Sequence, residues 1–333
     1  YTTPQLVPTF TWKSVSSYGW NVVCGIDSID DAYCWGDQTY SHGSVGNGTT
    51  TDSRSPFHVD PARKYSMIQA TGYMSCGIST NAELRCWGGP YLGNGIDGNS
   101  NSPVLIDSGV NYKYFKISNS GYNTCAITTA GVIKCWGYSF WDNHYTTTFL
   151  PYLSPVTIDN SRVYDSIELG NSGWTSVACA LSNQEVYCFG PNDLKVYGAN
   201  DYISTPMAMD PGIKYQKIVS TKFGFCGLLL DGTVKCWGDR WIAVGYNQAN
   251  GFVYPNYPTV WDSEKFSVLS GSCGITVSGR PKCLHDSSLL PAQVGSAYNG
   301  SFFNFVKVES TLKWKQISAN CGLSTAGKLY CWG

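Results

Sequence analysis

The sequence predicts an all-β protein, a seven-bladed β-propeller with four antiparallel strands in each blade. Three observations carry this prediction. A short cysteine-containing unit recurs seven times, its copies begin 47 to 54 residues apart by subtraction, and each copy is flanked by the same two apolar landmarks. A fixed period near fifty residues is typical of repeat architectures such as propellers. We take 1–333 as one domain, with repeats centred on 24–36, 76–88, 125–137, 179–190, 226–238, 273–285 and 321–333.

The recurring unit accounts for every cysteine of the chain. In each copy a small residue and a branched apolar residue follow the first cysteine, turn-forming residues come next, and a short apolar approach leads to the second cysteine. Such a pattern predicts a β-hairpin with the two cysteines facing each other, close enough to form a disulfide. The predicted pairs are Cys24 with Cys34, Cys76 with Cys86, Cys125 with Cys135, Cys179 with Cys188, Cys226 with Cys236, Cys273 with Cys283, and Cys321 with Cys331.

Metal binding is the rival interpretation of the cysteines. Zinc sites favour close Cys-x-x-Cys pairs, and the sequence contains none. We therefore expect seven disulfides, no metal site and no cofactor. Disulfides persist in oxidising compartments, so the chain is expected to be extracellular, either secreted or on a cell surface.

Two further landmarks supply the outer strands of each repeat. An aromatic-x-x-aliphatic segment precedes each hairpin, and a Pro-x-x-apolar segment follows each of the first six, with a seventh copy at the start of the chain. We call the four strands of a repeat, in chain order, the aromatic strand, the first-cysteine strand, the second-cysteine strand and the proline strand. Proline lacks an amide donor and suits an edge strand, so we expect the proline strand to be outermost. In five repeats an aspartate follows the proline strand, and we interpret it as a turn-capping residue: Asp60, Asp107, Asp159, Asp210 and Asp262.

The order of the landmarks predicts how the ring closes. The chain begins with a proline strand, Pro4 to Val7, and its last repeat has three strands with none after them. The N-terminal strand would therefore complete the seventh blade.

The repeat resembles a known family. The Cys-Gly-Ile/Leu, turn, Val-x-Cys-Trp-Gly unit, followed by a glycine-rich loop such as Leu92-Gly93-Asn94-Gly95 and then Pro-x-x-Val, is similar to the regulator-of-chromosome-condensation repeat. Its paired cysteines are more similar to the ectodomains of crinkly-type plant receptor kinases. The resemblance implies a propeller, and it says little about function because propellers have many functions.

Composition excludes several classes of function. Charged residues make up 14% of the chain and its net charge is −1, which argues against nucleic-acid binding. No apolar run is long enough to span a bilayer, so we expect no membrane insertion within this chain. We find no nucleophile-elbow motif and no recurring acid–base pair, and so predict no catalytic site.

The loops after each Trp-Gly differ between repeats and are where function would lie. Aromatic residues in them can contact a protein or stack on a sugar, or can bury themselves within their own loop. The candidate contact residues are Tyr91, Trp141, Tyr145, Trp241, Tyr246 and Tyr254. Asn47 and Asn299 begin N-glycosylation sequons.

The sequence favours a non-enzymatic module that binds a protein or assembles with itself in a surface coat, matrix or filament. The alternative is a lectin-like or ligand-binding receptor ectodomain that uses the aromatic loops, for which a glycan is a possible ligand. An enzyme is the least favoured class.

Overall fold

The computed structural model is all-β, and its strands pair in antiparallel sheets. The structure describes residues 11–17, 22–38, 42–138, 151–172, 175–191, 202–221, 224–238, 246–247, 251–252, 258–260, 262–271, 273–283, 314–317, 321–324 and 329–331.

The first five repeats each form a four-stranded sheet whose strands lie side by side in chain order. The first sheet contains β1 (Trp12–Ser17), β2 (Val22–Asp27), β3 (Ala32–Gly36) and β4 (Ser53–Val59). The second contains β5 (Tyr65–Ala70), β6 (Met74–Ser79), β7 (Leu84–Gly88) and β8 (Ser100–Leu105). The third contains β9 (Tyr112–Ile117), β10 (Asn123–Thr128), β11 (Ile133–Gly137) and β12 (Tyr152–Asp159).

The remaining sheets follow the same order along the chain. The fourth contains β13 (Ser166–Ser172), β14 (Thr175–Ser182), β15 (Glu185–Pro191) and β16 (Tyr202–Ala208). The fifth contains β17 (Tyr215–Thr221), β18 (Gly224–Leu229), β19 (Val234–Gly238) and β22 (Thr259–Val260), and a separate two-stranded hairpin joins β20 (Tyr246–Asn247) to β21 (Gly251–Phe252). The sixth and seventh have three strands each within the described residues: β23 (Phe266–Ser270), β24 (Cys273–Thr276) and β25 (Pro281–Cys283), then β26 (Trp314–Ile317), β27 (Cys321–Ser324) and β28 (Leu329–Cys331). Residues 4–7, the predicted closing strand, lie outside the described residues.

Each cysteine pair sits at directly opposed positions of its hairpin, as the spacing predicts. Five disulfides are described, with Cα atoms 4.0 to 4.1 Å apart: Cys24–Cys34, Cys76–Cys86, Cys125–Cys135, Cys179–Cys188 and Cys226–Cys236. Their side chains are fully buried. Cys273 is also disulfide-bonded and lies opposite Cys283, and Cys321 lies opposite Cys331.

The hydrophobic core lies between consecutive sheets. One cluster joins Cys24 and Ile26 of the first sheet to Tyr65 and Ile68 of the second, and equivalent clusters join each later sheet to the next as far as the sixth. The aromatic strand of each sheet contacts the aromatic strand of the next, from β1 through β26. Successive sheets therefore stack face to face, with their aromatic strands together on one side.

The proline strand is the opposite edge of each four-stranded sheet. Its ladder with the second-cysteine strand shifts register near the proline, as between Cys34 and Gly36, whose partners are Phe57 and Ser53. An edge strand with a missing amide donor and a bulge resists pairing with the edge of another molecule.

The aromatic strands are joined to one another by side chains at one repeated position. The Ser16 hydroxyl accepts a hydrogen bond from the Ala70 amide of the next sheet (3.1 Å). Gln69 bonds both backbone groups of Ile117: its Oε1 accepts from the amide (3.0 Å) and its Nε2 donates to the carbonyl (3.4 Å).

Two charged residues continue this series of contacts. The Lys116 ammonium lies 2.9 Å from Glu168, and the Glu168 carboxylate accepts a hydrogen bond from the Ser220 hydroxyl (3.0 Å). Each contact reaches forward to the following sheet, so the series fixes the spacing of neighbouring aromatic strands.

Four of the aspartates after the proline strands, Asp60, Asp107, Asp159 and Asp210, have a role that the prediction of turn capping does not include. Their carboxylates accept hydrogen bonds from the buried tyrosine that opens the next aromatic strand, five residues on. The distances are 3.0 Å for Tyr65 and Asp60, 2.7 Å for Tyr112 and Asp107, and 2.6 Å for both Tyr164 with Asp159 and Tyr215 with Asp210. Asp159 also caps its turn, accepting from the Ser161 amide, and Asp262 accepts from the Glu264 amide.

A cation completes this arrangement. Lys134 Nζ lies 2.6 Å from Asp107, Lys235 Nζ lies 2.7 Å from Asp210, and Arg162 pairs with Asp159 at 2.9 Å. We call each set of an aspartate, the tyrosine five residues on and the neighbouring cation a tyrosine latch. It ties the end of one sheet to the start of the next.

In the third repeat the aromatic strand begins earlier than the sequence pattern predicts. The pattern aromatic-x-x-aliphatic selects Tyr114 as the start of its aromatic strand, but the latch tyrosine is Tyr112, which is fully buried.

The latch ring also explains the glycine after the first cysteine in the second and fifth repeats. A Cβ added to Gly77 would lie 2.7 Å from the Tyr65 ring, and one added to Gly227 would lie 2.5 Å from the Tyr215 ring. The ring occupies the space that a larger side chain would need.

Candidate binding surface

Five aromatic side chains from three consecutive sheets form a continuous row, which we call the aromatic row: His42, Tyr73, Tyr91, Tyr122 and Tyr138. The rings of His42 and Tyr73 are stacked with centroids 6.2 Å apart, and those of Tyr73 and Tyr122 are stacked at 5.4 Å. Tyr91 lies 6.4 Å from Tyr122 and 5.5 Å from Tyr138, at tilted angles. His42 is exposed and the four tyrosines are half-buried, so the row is accessible from solvent.

The strand order places these residues at one end of the sheets. Tyr73 and Tyr122 occupy the turns between aromatic and first-cysteine strands, and the other three lie in the segments after the second-cysteine strands. Both kinds of connection leave an antiparallel sheet at the same end. Backbone hydrogen bonds hold them together: Gly89 N donates to the Tyr73 carbonyl (2.7 Å), and Tyr138 N donates to the Tyr122 carbonyl (3.0 Å).

The loops after the second-cysteine strands of the first two sheets each lie on the tryptophan of the following sheet. The Trp87 indole donates to the Ser44 carbonyl (2.9 Å), and a Cβ on Gly46 would lie 2.7 Å from the same indole nitrogen. The next loop repeats this packing, because a Cβ on Gly93 would lie 2.5 Å from the Trp136 indole nitrogen. Gly46 and Gly93 have φ values of +77° and +94°, which glycine adopts without a Cβ clash. The row thus rests on loops that are anchored to buried tryptophans.

Two tyrosines of the row, Tyr91 and Tyr122, have raised pKa values. Burial raises the pKa of Tyr122, and the neighbouring Tyr73 hydroxyl adds to the effect. Burial also raises the pKa of Tyr91, with a further contribution from the negative charge of Asp97. The Tyr91 and Tyr122 hydroxyls therefore stay protonated near neutral pH.

The orientation of the rings limits what they can bind. Tyr73 stacks against both His42 and Tyr122, so neighbouring rings cover part of its surface. A ligand would therefore meet Tyr73 largely at the edge of its ring. Such a surface suits a protein partner, since tyrosine supplies rigid contact area and hydrogen bonds at low entropic cost.

Two of the six predicted contact residues lie within the described part of the chain. Tyr91 belongs to the aromatic row. Tyr246 begins β20, where only its backbone is described. The other four lie outside the described residues: Trp141, Tyr145, Trp241 and Tyr254.

Sequence reasoning missed His42, Tyr73, Tyr122 and Tyr138. A signal for two of them was present, because Tyr73 and Tyr122 both stand three residues before a first cysteine. Both residues stand in short turns, outside the variable loops after Trp-Gly in which contact residues are predicted.

The described residues hold no group of three or more histidine, cysteine or acidic side chains placed to bind a metal ion. Nor do they include a helix with the length and apolar character needed to cross a membrane. The Asn47 side chain is half-buried in the loop after β3, and Asn299 lies outside the described residues.

No protein-family model matches the sequence, and no curated protein is similar to it. Solved structures are similar in fold. Prp20p of Saccharomyces cerevisiae, a yeast RCC1 whose structure was described with its binding to Gsp1p and histones, matches with a TM-score of 0.68 and 16% identity, over 90% of this chain and 77% of that chain. Human WBSCR16 matches with a TM-score of 0.67 and 12% identity, over 91% and 84%.

The ectodomains of crinkly receptor kinases cover more of the chain. The CRINKLY ectodomain of an Arabidopsis thaliana receptor kinase has a TM-score of 0.55 and 18% identity, over 98% of this chain and 96% of that chain. The whole ectodomain of a Physcomitrella patens receptor kinase has a TM-score of 0.56 and 18% identity, over 98% and 74%. The resemblance predicted from the repeat is confirmed at the level of fold: the chain has a disulfide-containing β-propeller repeat fold similar to those of RCC1 and the crinkly ectodomains.

Proposed function

We propose that the chain is a single extracellular seven-bladed propeller that acts as a non-enzymatic protein-binding module of a surface coat, matrix or filament. Its partner, a different protein or another copy of the chain, would bind the aromatic row. The ring would be closed by residues 4–7 as the fourth strand of the last sheet.

Ring closure is supported by the first sheet. Val15 is 56% exposed, although the residues at its position in the next four sheets, Ile68, Phe115, Ile167 and Ile218, are at most 7% exposed. Trp35 is likewise half-buried, whereas its equivalents Trp87 and Trp136 are fully buried. An apolar face with core-type residues needs a covering element. The seventh sheet, which contains a cysteine pair in the same register as the others, is the natural one.

The extracellular location is supported by the cysteines. Five described disulfides recur at one position of the repeat and are fully buried in the cores between sheets. Reduced thiols in these positions would lose the covalent link across each hairpin, so the fold suits an oxidising compartment. The crinkly structures are ectodomains of receptor kinases, which is consistent with this location.

Binding to a protein is supported by the stacking of the aromatic row, which is the observation that carries the proposal. A lectin stacks a sugar on an exposed aromatic face. The stacked neighbours of Tyr73 leave less of its ring for a sugar, while the half-buried tyrosines of the row offer contact area to a polypeptide surface. Aromatic residues in such clusters commonly dominate the energy of a protein interface.

The first test is the native mass of the protein extracted from its source, measured by light scattering without denaturant. We expect a complex or polymer heavier than one chain. The species is then probed with the double variant Tyr73→Ala, Tyr122→Ala, which should weaken assembly at least about tenfold because it removes two adjacent anchors. The matched control is Tyr152→Ala, which removes an exposed tyrosine of the proline strand β12.

Two results would overturn the proposal. One is a clean monomer that binds immobilised glycans and loses that binding in the double variant, which would establish the lectin-like alternative. The other is an assembly that the double variant leaves unchanged, which would move the contact away from the aromatic row.

A further inference from the structure

Two neighbouring loops contain an Asn-Gly turn at the same place in the repeat, after the second-cysteine strand. In the first sheet Asn47-Gly48-Thr49 follows β3, and in the second Asn94-Gly95-Ile96 follows β7. The amide of Gly48 donates to the Asn101 carbonyl (2.9 Å), and that of Gly95 donates to the Leu153 carbonyl (2.8 Å). Each turn is therefore fixed to the proline strand region of the following sheet.

The two turns differ in the third residue. The Asn47 carboxamide oxygen accepts hydrogen bonds from the Thr49 amide (3.0 Å) and the Thr49 hydroxyl (2.9 Å). The Asn94 oxygen accepts from the Ile96 amide (3.2 Å), and isoleucine has no hydroxyl to add. Only the first turn therefore has the Asn-x-Thr chemistry of a glycosylation sequon.

The nitrogen of Asn47 is available for reaction. Within the described residues its Nδ2 makes no hydrogen bond, whereas its oxygen has three donors, the third being the Gln38 amide at 3.4 Å. Residues 48–52 are exposed, so the surroundings have room for a bulky group. A hydroxyl that donates to the carboxamide oxygen draws electron density from it and so favours loss of a proton from the nitrogen.

We infer that Asn47 is an N-glycosylation site and that its glycan borders the aromatic row at the His42 end. The inference rests on the proposed extracellular location. A lipid-pyrophosphate-linked oligosaccharide is the donor. The Asn47 nitrogen forms a bond to the anomeric carbon, the bond from that carbon to the pyrophosphate oxygen breaks, the lipid pyrophosphate leaves with the electron pair, and the nitrogen gives up one proton to the transferase. A glycan here would restrict the direction from which a partner can approach the row.

The test expresses the whole chain in a eukaryotic secretory cell and maps modified peptides by mass before and after enzymatic deglycosylation. Wild type should carry one oligosaccharide at Asn47. Asn47→Gln and Thr49→Ala should lose it, and Thr49→Ser, which keeps the hydroxyl, should retain it. Ile96→Thr changes a side chain that is 63% exposed and should add a glycan at Asn94.

The outcomes separate this inference from the proposed function. A secreted, disulfide-bonded chain with an unmodified Asn47 would overturn the inference alone, most clearly if Ile96→Thr gains a glycan at Asn94. A chain that stays in the cell with reduced cysteines would overturn both proposals. The native mass of the Asn47→Gln variant, measured by light scattering, tests whether the aromatic row binds its partner when the glycan is absent.

Discussion

At the scale of single residues, the first position of each aromatic strand does most to define the fold. In the fifth sheet this residue is Tyr215. Its ring covers Gly227, its hydroxyl donates to Asp210 (2.6 Å), and its amide donates to the Gln184 carbonyl in a turn of the preceding sheet (2.8 Å). One side chain thus ties its own hairpin, the connecting loop and the previous sheet together.

Removing the hydroxyl tests the tyrosine latch. Tyr215→Phe keeps the ring over Gly227 and deletes the hydrogen bond to the Asp210 carboxylate. We expect a loss of about 1.5–3 kcal/mol in the free energy of unfolding, the range for a hydrogen bond to a charged group. Urea denaturation followed by tryptophan fluorescence measures it. The control is Tyr152→Phe on an exposed strand, and equal effects from both variants would contradict the role assigned to the latch.

The latch of the fourth repeat predicts a dependence on acid. Burial alone would raise the pKa of Asp159, but hydrogen bonds from Ser161, Tyr164 and Arg162 outweigh it and hold the pKa to about 2. Because this lies below the ordinary value of 3.8, the carboxylate stabilises the folded state above about pH 4, and that contribution is lost as pH falls toward 2. Thermal melts between pH 5 and pH 2 should show this loss.

The matched variant for this titration is Asp159→Asn. It should melt at a lower temperature than wild type at pH 5, and the gap should narrow toward pH 2 as the wild-type carboxylate takes up its proton. A gap that stays constant with pH would show that Asp159 does not titrate in this way.

At the scale of strands, the pairing within a repeat could be predicted from sequence, and the contacts between repeats could not. The opposed cysteines and the turn residues are local signals, so the five described disulfides and the hairpins that contain them follow from spacing. The partner of Asp107 is a hydroxyl on another sheet, and apolar periodicity says nothing about hydroxyls. The same limit explains why Tyr114 was chosen in place of Tyr112.

The aromatic row likewise could be predicted from the sequence only in part. Tyr91 stands in a loop that differs between repeats and was predicted as a contact residue. Tyr73 and Tyr122 stand in short turns, and their proximity, 5.4 Å between ring centroids, depends on how two sheets stack. A sequence pattern describes one repeat at a time, so it cannot give the distance between equivalent positions of two repeats.

The contacts between aromatic strands can be tested at Gln69. Gln69→Leu replaces the carboxamide with an apolar group and leaves the Ile117 amide and carbonyl without their partner. We expect a loss of about 1–3 kcal/mol and faster hydrogen exchange at the Ile117 amide. Gln216→Leu is the control, since Gln216 is exposed and bonds the Leu229 carbonyl within its own sheet. Unchanged exchange at Ile117 would show that Gln69 does not hold the two strands together.

At the scale of the whole molecule, each sheet packs on its neighbours, and the outer faces of the first and last sheets also need to be covered. Core clusters lie between each pair of consecutive sheets from the first to the sixth. A row of sheets that each need two neighbours leaves two apolar faces at its ends, and a ring removes both. The proposed closure therefore satisfies the same packing rule that already operates between the described sheets.

Val15 distinguishes a closed ring from an open one. If the seventh sheet packs on the first, Val15→Asp places a charge in a new interface between sheets, and we expect a loss of about 3 kcal/mol or more. Ile29→Asp is the matched control. Ile29 lies in the turn after β2 and is 62% exposed, close to the 56% of Val15, so the same change there should alter stability by no more than about 0.5 kcal/mol. Ile68→Asp in the second sheet supplies the reference for a position buried between sheets. If the melting temperature of Val15→Asp is lowered as much as that of Ile68→Asp, a neighbouring sheet covers this face. If it changes as little as that of Ile29→Asp, the face is open to solvent and the ring is not closed.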